Sequence, residues 1–71
     1  MTLKKYPHLL TPGQKDAIKN SGKTVYAIAK EGGIHRNNLG RAIKGKHEIN
    51  VATAIRIASV LEISLEEFEQ L

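Results

Sequence analysis

Residues 24–46 read TVYAIAKEGGIHRNNLGRAIKGK, and the spacing of apolar residues and glycines within them sets the architecture expected of the whole chain. Val25, Ile28 and Ala29 recur at i, i+3 and i+4, which puts one apolar face on a helix that starts behind Thr24 as its N-cap. Gly32-Gly33 then stops that helix. Glycine tolerates the left-handed backbone of a tight inter-helix turn, and Ile34 follows where it can plug the angle between two helices. In the next segment Leu39, Ala42 and Ile43 form an inward stripe, leaving Arg36, Asn37, Gly40, Arg41 and Lys44 outward. Two short helices across a glycine turn make a helix-turn-helix. Its outward face carries hydrogen-bond donors and no carboxylate.

Upstream, residues 1–10 show no sustained period and carry Lys4, Lys5, Tyr6-Pro7 and His8, so they read as an N-terminal arm ahead of a domain spanning 11–71. The arm has three options: to wrap a ligand, to pack on the domain, or to stay disordered. Thr11-Pro12-Gly13-Gln14 is a helix start, with Thr11 as N-cap, Pro12 in the first turn and Gln14 completing a capping box. This helix is expected to run to about Asn20 with Ala17 and Ile18 inward, and Ser21-Gly22 stops it. Lys15, Lys19 and Lys23 follow at four-residue intervals and read as a solvated row, with Lys23 at the start of the next helix.

Downstream of the motif, residues 45–49 form a loop with Ile49 tucked under, and Asn50 caps a fourth helix. Its stretch VATAIRIASVLEI, residues 51–63, places Val51, Ala54, Ile55, Ala58 and Leu61 on one face, with Ile57 and Val60 partly off it. A second capping box, Ser64 with Glu67, and a hydrophobic staple of Ile63 on Phe68 open a short last helix. The outcome is an all-α chain of five helices without a strand.

Seventy-one residues allow one domain with one small core. There is no cysteine, hence no disulfide and no Cys-based zinc site, and His8, His35 and His47 lack metal-motif spacing. No apolar run approaches membrane-spanning length and no signal-peptide pattern opens the chain, so a soluble, cytoplasmic protein without membrane association is expected. Up to Lys46, ten Lys or Arg face two acids for a net +8; from His47 on, one Arg faces five Glu for −4. A polyanion is therefore drawn to the half that holds the helix-turn-helix and repelled by the other.

The joint spacing of Ala29, Gly33, Ile34 and Leu39, followed by NVATAIRIASVLEIS at residues 50–64, resembles the Cro/CI-type (XRE) helix-turn-helix family of phage repressors and bacterial regulators. The similarity covers about Thr11 to Phe68. It implies a compact five-helix bundle of the lambda-repressor-like DNA-binding type whose third helix enters the major groove of double-stranded DNA. Two residues depart from the family pattern. Where the first motif helix usually opens with a phosphate-binding Gln, this chain has Val25; the Tyr26 hydroxyl, Thr24 or backbone amides are each able to take over that contact. Gly40 lies inside the third helix on its DNA side, at a cost of about 1 kcal/mol relative to Ala, either because the duplex comes close there or because Gly is simply tolerated.

By the resemblance, Arg36, Asn37 and Arg41 match positions that usually face base edges, and His35 lies beside them. The chemistry suits the role: Arg pairs bidentately with guanine O6 and N7, and Asn with adenine N6 and N7. Lys44 and Lys46 are point charges for phosphate, and Lys23, Thr24, Tyr26 and Asn38 complete the expected backbone contacts. No cofactor is expected. The carboxylates cluster in the acidic tail, the serines have capping or helix-face roles, and no glycine loop cradles phosphate, so a non-enzyme is expected. The expected function is a sequence-specific transcriptional regulator, a small Cro- or repressor-like protein, pairing as a homodimer on DNA or acting as a monomer. Ile57, Val60, the last helix and Leu71 offer a dimer surface. The rival is a protein-interaction module on the same fold, such as an antitoxin or adaptor.

Overall fold

Thr11 opens the first helix of the computed structural model, which describes residues 6–71. Its hydroxyl accepts from the Gln14 N–H at 3.1 Å and the Gln14 side chain accepts from the Thr11 N–H at 3.0 Å, a complete capping box on α1 (Pro12–Asn20). Thr24 caps α2 (Val25–Gly32) by accepting from Ala27 N–H, and Asn50 caps α4 (Val51–Val60) by accepting from Thr53 N–H. Between them lies α3 (Arg36–Ile43), whose N-cap His35 makes no side-chain capping bond. Ser64 caps α5 (Leu65–Glu69) by accepting from the Glu67 N–H, while its own hydroxyl donates to the Glu67 carboxylate. Among the described residues there are five helices and no strand, the lambda-repressor-like helical arrangement.

The turn between α2 and α3 is built on Gly33, whose φ of 67° is left-handed. That conformation aims the Gly33 and Ile34 N–H groups back at the last carbonyls of α2, Ile34 bonding Ala29 O at 2.8 Å. Arg56 of α4 adds a cap from outside, donating to Gly32 O at 3.0 Å. The core beneath consists of apolar residues from every helix, with Ile28, Leu39, Ile57 and Phe68 among the largest wholly buried side chains. Each contributes about 1.5–3 kcal/mol of burial.

The buried face of α4 differs from the expected one. Val51 and Ile55 are 36% and 50% exposed, whereas Ile57 and Val60, read as partly off the stripe, are 0% and 8% exposed beside Ala54 and Ala58. The segment is apolar nearly all round, so its polar residues choose the face: Arg56 and Ser59 are exposed, and Ile57 lies opposite them. Ile57 and Val60 are therefore core and not part of a dimer surface.

The two ends of the domain are stitched together. Gln14 is wholly buried, and its Nε2 donates to Phe68 O at 3.0 Å, so the residue that caps α1 also holds α5. Thr11 Oγ1 donates to Leu71 O, and Gly13 passes so near Leu71 that a Cβ would lie 2.6 Å from its carbonyl carbon. Residues 6–10 lie along the bundle: His8 and Ile49 exchange backbone bonds of 3.1 and 2.9 Å, and Leu10 is buried. Lys4 and Lys5 of the arm lie outside the described residues.

The Tyr6 hydroxyl donates to the buried Glu69 carboxylate at 2.7 Å. Burial pushes the phenol well above its usual range, and the hydrogen bond and charge of Glu69 push the same way. The folded chain thus keeps a proton that the unfolded chain releases near pH 10. Its contribution to stability is full below that pH and is lost as pH rises through the raised folded value. Tyr6→Phe is expected to lower stability at pH 8 and to shrink the further loss between pH 8 and pH 11. Chemical denaturation at both pH values checks this; equal alkaline losses in the two proteins would contradict it.

Candidate nucleic-acid interface

The helical period and the αL turn together present one side of α3 to solvent. Leu39 and Ala42 point into the core and Ile43 packs against its edge, so Arg36, Asn37 and Arg41 emerge on the opposite side, all exposed. With Val25, Gly40 and Lys44 they line one open concavity between α2 and α3. His35 is exposed at the N-terminal end of the helix. Among the described residues one salt bridge forms, Lys23 to Glu31, so Arg36 and Arg41 keep their donors clear of carboxylates.

The expected backbone-binding residues divide between places. Thr24 and Lys23 line a second depression, which adjoins the first at Val25 and also holds Lys15 and Lys19. The Thr24 hydroxyl accepts the cap bond yet retains its proton for donation. Lys23 Nζ lies 3.1 Å from both Glu31 carboxylate oxygens, a surface pair of small net value that a phosphate can displace. Tyr26 is exposed, with its ring beneath the Arg36 guanidinium at 5.7 Å. Lys44 closes α3 within the concavity, and Lys46 is exposed in the following loop, its N–H held on Arg41 O at 2.9 Å. Asn38 is not brought together with these; it lines a depression with His47, Glu48 and Asn50 at the start of α4.

Two features escaped the sequence reading. Lys15, in a row that the sequence alone presents as solvated, reaches across from α1 until its ammonium lies 3.2 Å from where a Cβ at Gly45 would be, at the turn after α3. The four-residue interval of Lys15, Lys19 and Lys23 was the available signal. Arg56, which braces the turn, gave none, because its partner Gly32 is 24 residues away.

Gly40 has open space around it: nothing lies within 4 Å of the place its Cβ would take. The chain's own packing therefore does not require glycine there. Gly40→Ala is expected to stabilise the fold by about 1 kcal/mol and to weaken duplex binding, because the added methyl stands in the concavity where DNA would approach. Thermal melting and duplex titration check the two halves separately; unchanged affinity would show that the duplex keeps its distance at this residue.

Among the described residues no helix is long and apolar enough to cross a membrane, and no group of three His, Asp or Glu is placed to hold a metal ion. A helix-turn-helix in a five-helix bundle, with an exposed, donor-rich second motif helix, defines a DNA-binding domain. A family model described as Helix-turn-helix matches residues 14–68, and the chain belongs to that family, the XRE (Cro/CI-type) helix-turn-helix DNA-binding proteins. No curated protein and no solved structure matches the chain.

Proposed function

We propose that the chain is a sequence-specific transcriptional regulator, a small Cro- or repressor-like protein that lays α3 in the major groove of an operator and excludes polymerase from it. The observation that carries this reading is the single concavity lined by Arg36, Asn37, Arg41 and Lys44, free of carboxylate and open to solvent. Arg36, Asn37 and Arg41, with His35 at the helix start, read base edges. Thr24, Tyr26, Lys23, Lys44 and Lys46 contact the sugar-phosphate backbone, joined by Lys15 and Lys19 in the adjoining depression, and Asn38 does so from the α4 side. The cations set affinity and salt dependence, and the planar donors set sequence.

The chain binds a pseudo-palindrome as a two-fold pair. With Ile57 and Val60 in the core, α5 and Leu71 remain from the surface expected for pairing, and Val51 and Ile55 are exposed large apolar residues in the same half. Selection of bound duplexes from a random pool at near-physiological salt tests the reading. An inverted repeat with half-sites about one helical turn apart is the expected product; a single half-site would keep the regulator and make it a monomer. Salt-sensitive binding with no enriched sequence would overturn the proposal and turn the search to a protein partner.

A further inference from the structure

Three aromatic residues occur in the chain, and they are used differently. Phe68 is core and Tyr6 packs against that core, but Tyr26 is 57% exposed, next to a Val25 whose side chain is committed to packing. An exposed ring adds little to the fold. What it touches is Arg36, the first residue of α3, whose guanidinium carbon lies over the ring at 5.7 Å from the centroid, within the range of a cation–π contact. The contact bridges the turn from the start of α2 to the start of α3.

The geometry of that contact matters for reading. An arginine must give up the freedom of a long side chain to meet a base edge, and a partner that already holds it lowers that loss. A carboxylate would hold it by its N–H edge, using the donors that guanine needs and bringing negative charge towards phosphates. An aromatic ring holds the flat face instead and leaves the donors around the edge free. Among the described residues Arg36 makes no salt bridge, so the ring is its visible support.

We infer that Tyr26 is a positioning residue for sequence readout: its ring orients Arg36 towards one base, and it sets the strength of that preference without touching the base. This rests on the regulator reading above. It is separate from the phosphate contact of the Tyr26 hydroxyl, which adds to affinity for every sequence alike, whereas the ring sets the preference.

Duplex selection followed by quantitative competition, with wild type, Tyr26→Phe, Tyr26→Leu and Arg36→Ala, separates the two. Tyr26→Leu should lose about two- to five-fold of the preference at one base position, the same position that Arg36→Ala flattens, with an unchanged salt slope and melting temperature. Tyr26→Phe keeps the ring and should retain the wild-type preference. A Leu variant with wild-type preference would overturn the inference, and so would an equal loss of preference in Tyr26→Phe and Tyr26→Leu, which would place the effect on the hydroxyl. If wild type itself selects no sequence, the regulator reading fails and the inference falls with it; if wild type selects a site and only the Tyr26 effects are missing, the inference alone fails.

Discussion

Arg41→Ala is expected to flatten base preference at one position of the bound site, costing about 1–3 kcal/mol for the preferred base pair and little for the others. Arg41 stands one turn beyond Asn37 on the exposed side of α3 and lines the same concavity. Its guanidinium offers a fork that fits guanine, and no carboxylate diverts it. The matched control is Lys46→Ala. Lys46 lies in the loop just past the helix, a flexible point charge that suits phosphate of any sequence. Its loss should weaken every duplex alike and reduce the slope of log affinity against log salt by about one unit. Competition titrations over a set of single-base variants, repeated at several salt concentrations, measure both. Equal, sequence-blind losses from the two substitutions would remove Arg41 from the base readers.

Gly33→Val should be the most damaging single change at the turn. The native φ of 67° costs an L-residue about 1–2 kcal/mol, and a β-branched side chain more. The new Cβ would also lie 2.8 Å from Arg56 Nη1, displacing the guanidinium that caps Gly32 O at the end of α2. A loss above about 2 kcal/mol follows, which in a domain of this size lowers the melting temperature by more than about 8 °C. An unchanged melting temperature would mean that the turn does not depend on this backbone conformation.

What the sequence revealed and what it withheld divide by range. The N-caps Thr11, Thr24, Asn50 and Ser64 act over three residues, so each was visible as a local pattern, and the starts of α1, α2, α4 and α5 followed from them. The outward side of α3 was legible for the same reason, since Leu39 and Ala42 fix the rotation of the helix by themselves. The α4 stripe was misplaced because nearly every residue from Val51 to Leu61 is apolar or small; periodicity there admits several faces, and the better guide was where Arg56 and Ser59 had to be. Gln14 was recognised as a cap, but its second bond, to Phe68 O across 54 residues, has no local signature. The candidate site shows the same division: Arg36, Asn37 and Arg41 are gathered by one helix, while the arrival of Lys15 beside Gly45 and the departure of Asn38 to the α4 side depend on how three helices meet.

The claim that α3 reads the major groove is tested most directly by methylation interference on the selected duplex. Guanine N7 lies in the major groove and adenine N3 in the minor groove, so each methyl group blocks one side of the helix. N7 methylation of the guanines facing Arg36 and Arg41 should abolish binding, and N3 methylation should leave it intact. Binding indifferent to N7 methylation at every guanine of the site would contradict the claim.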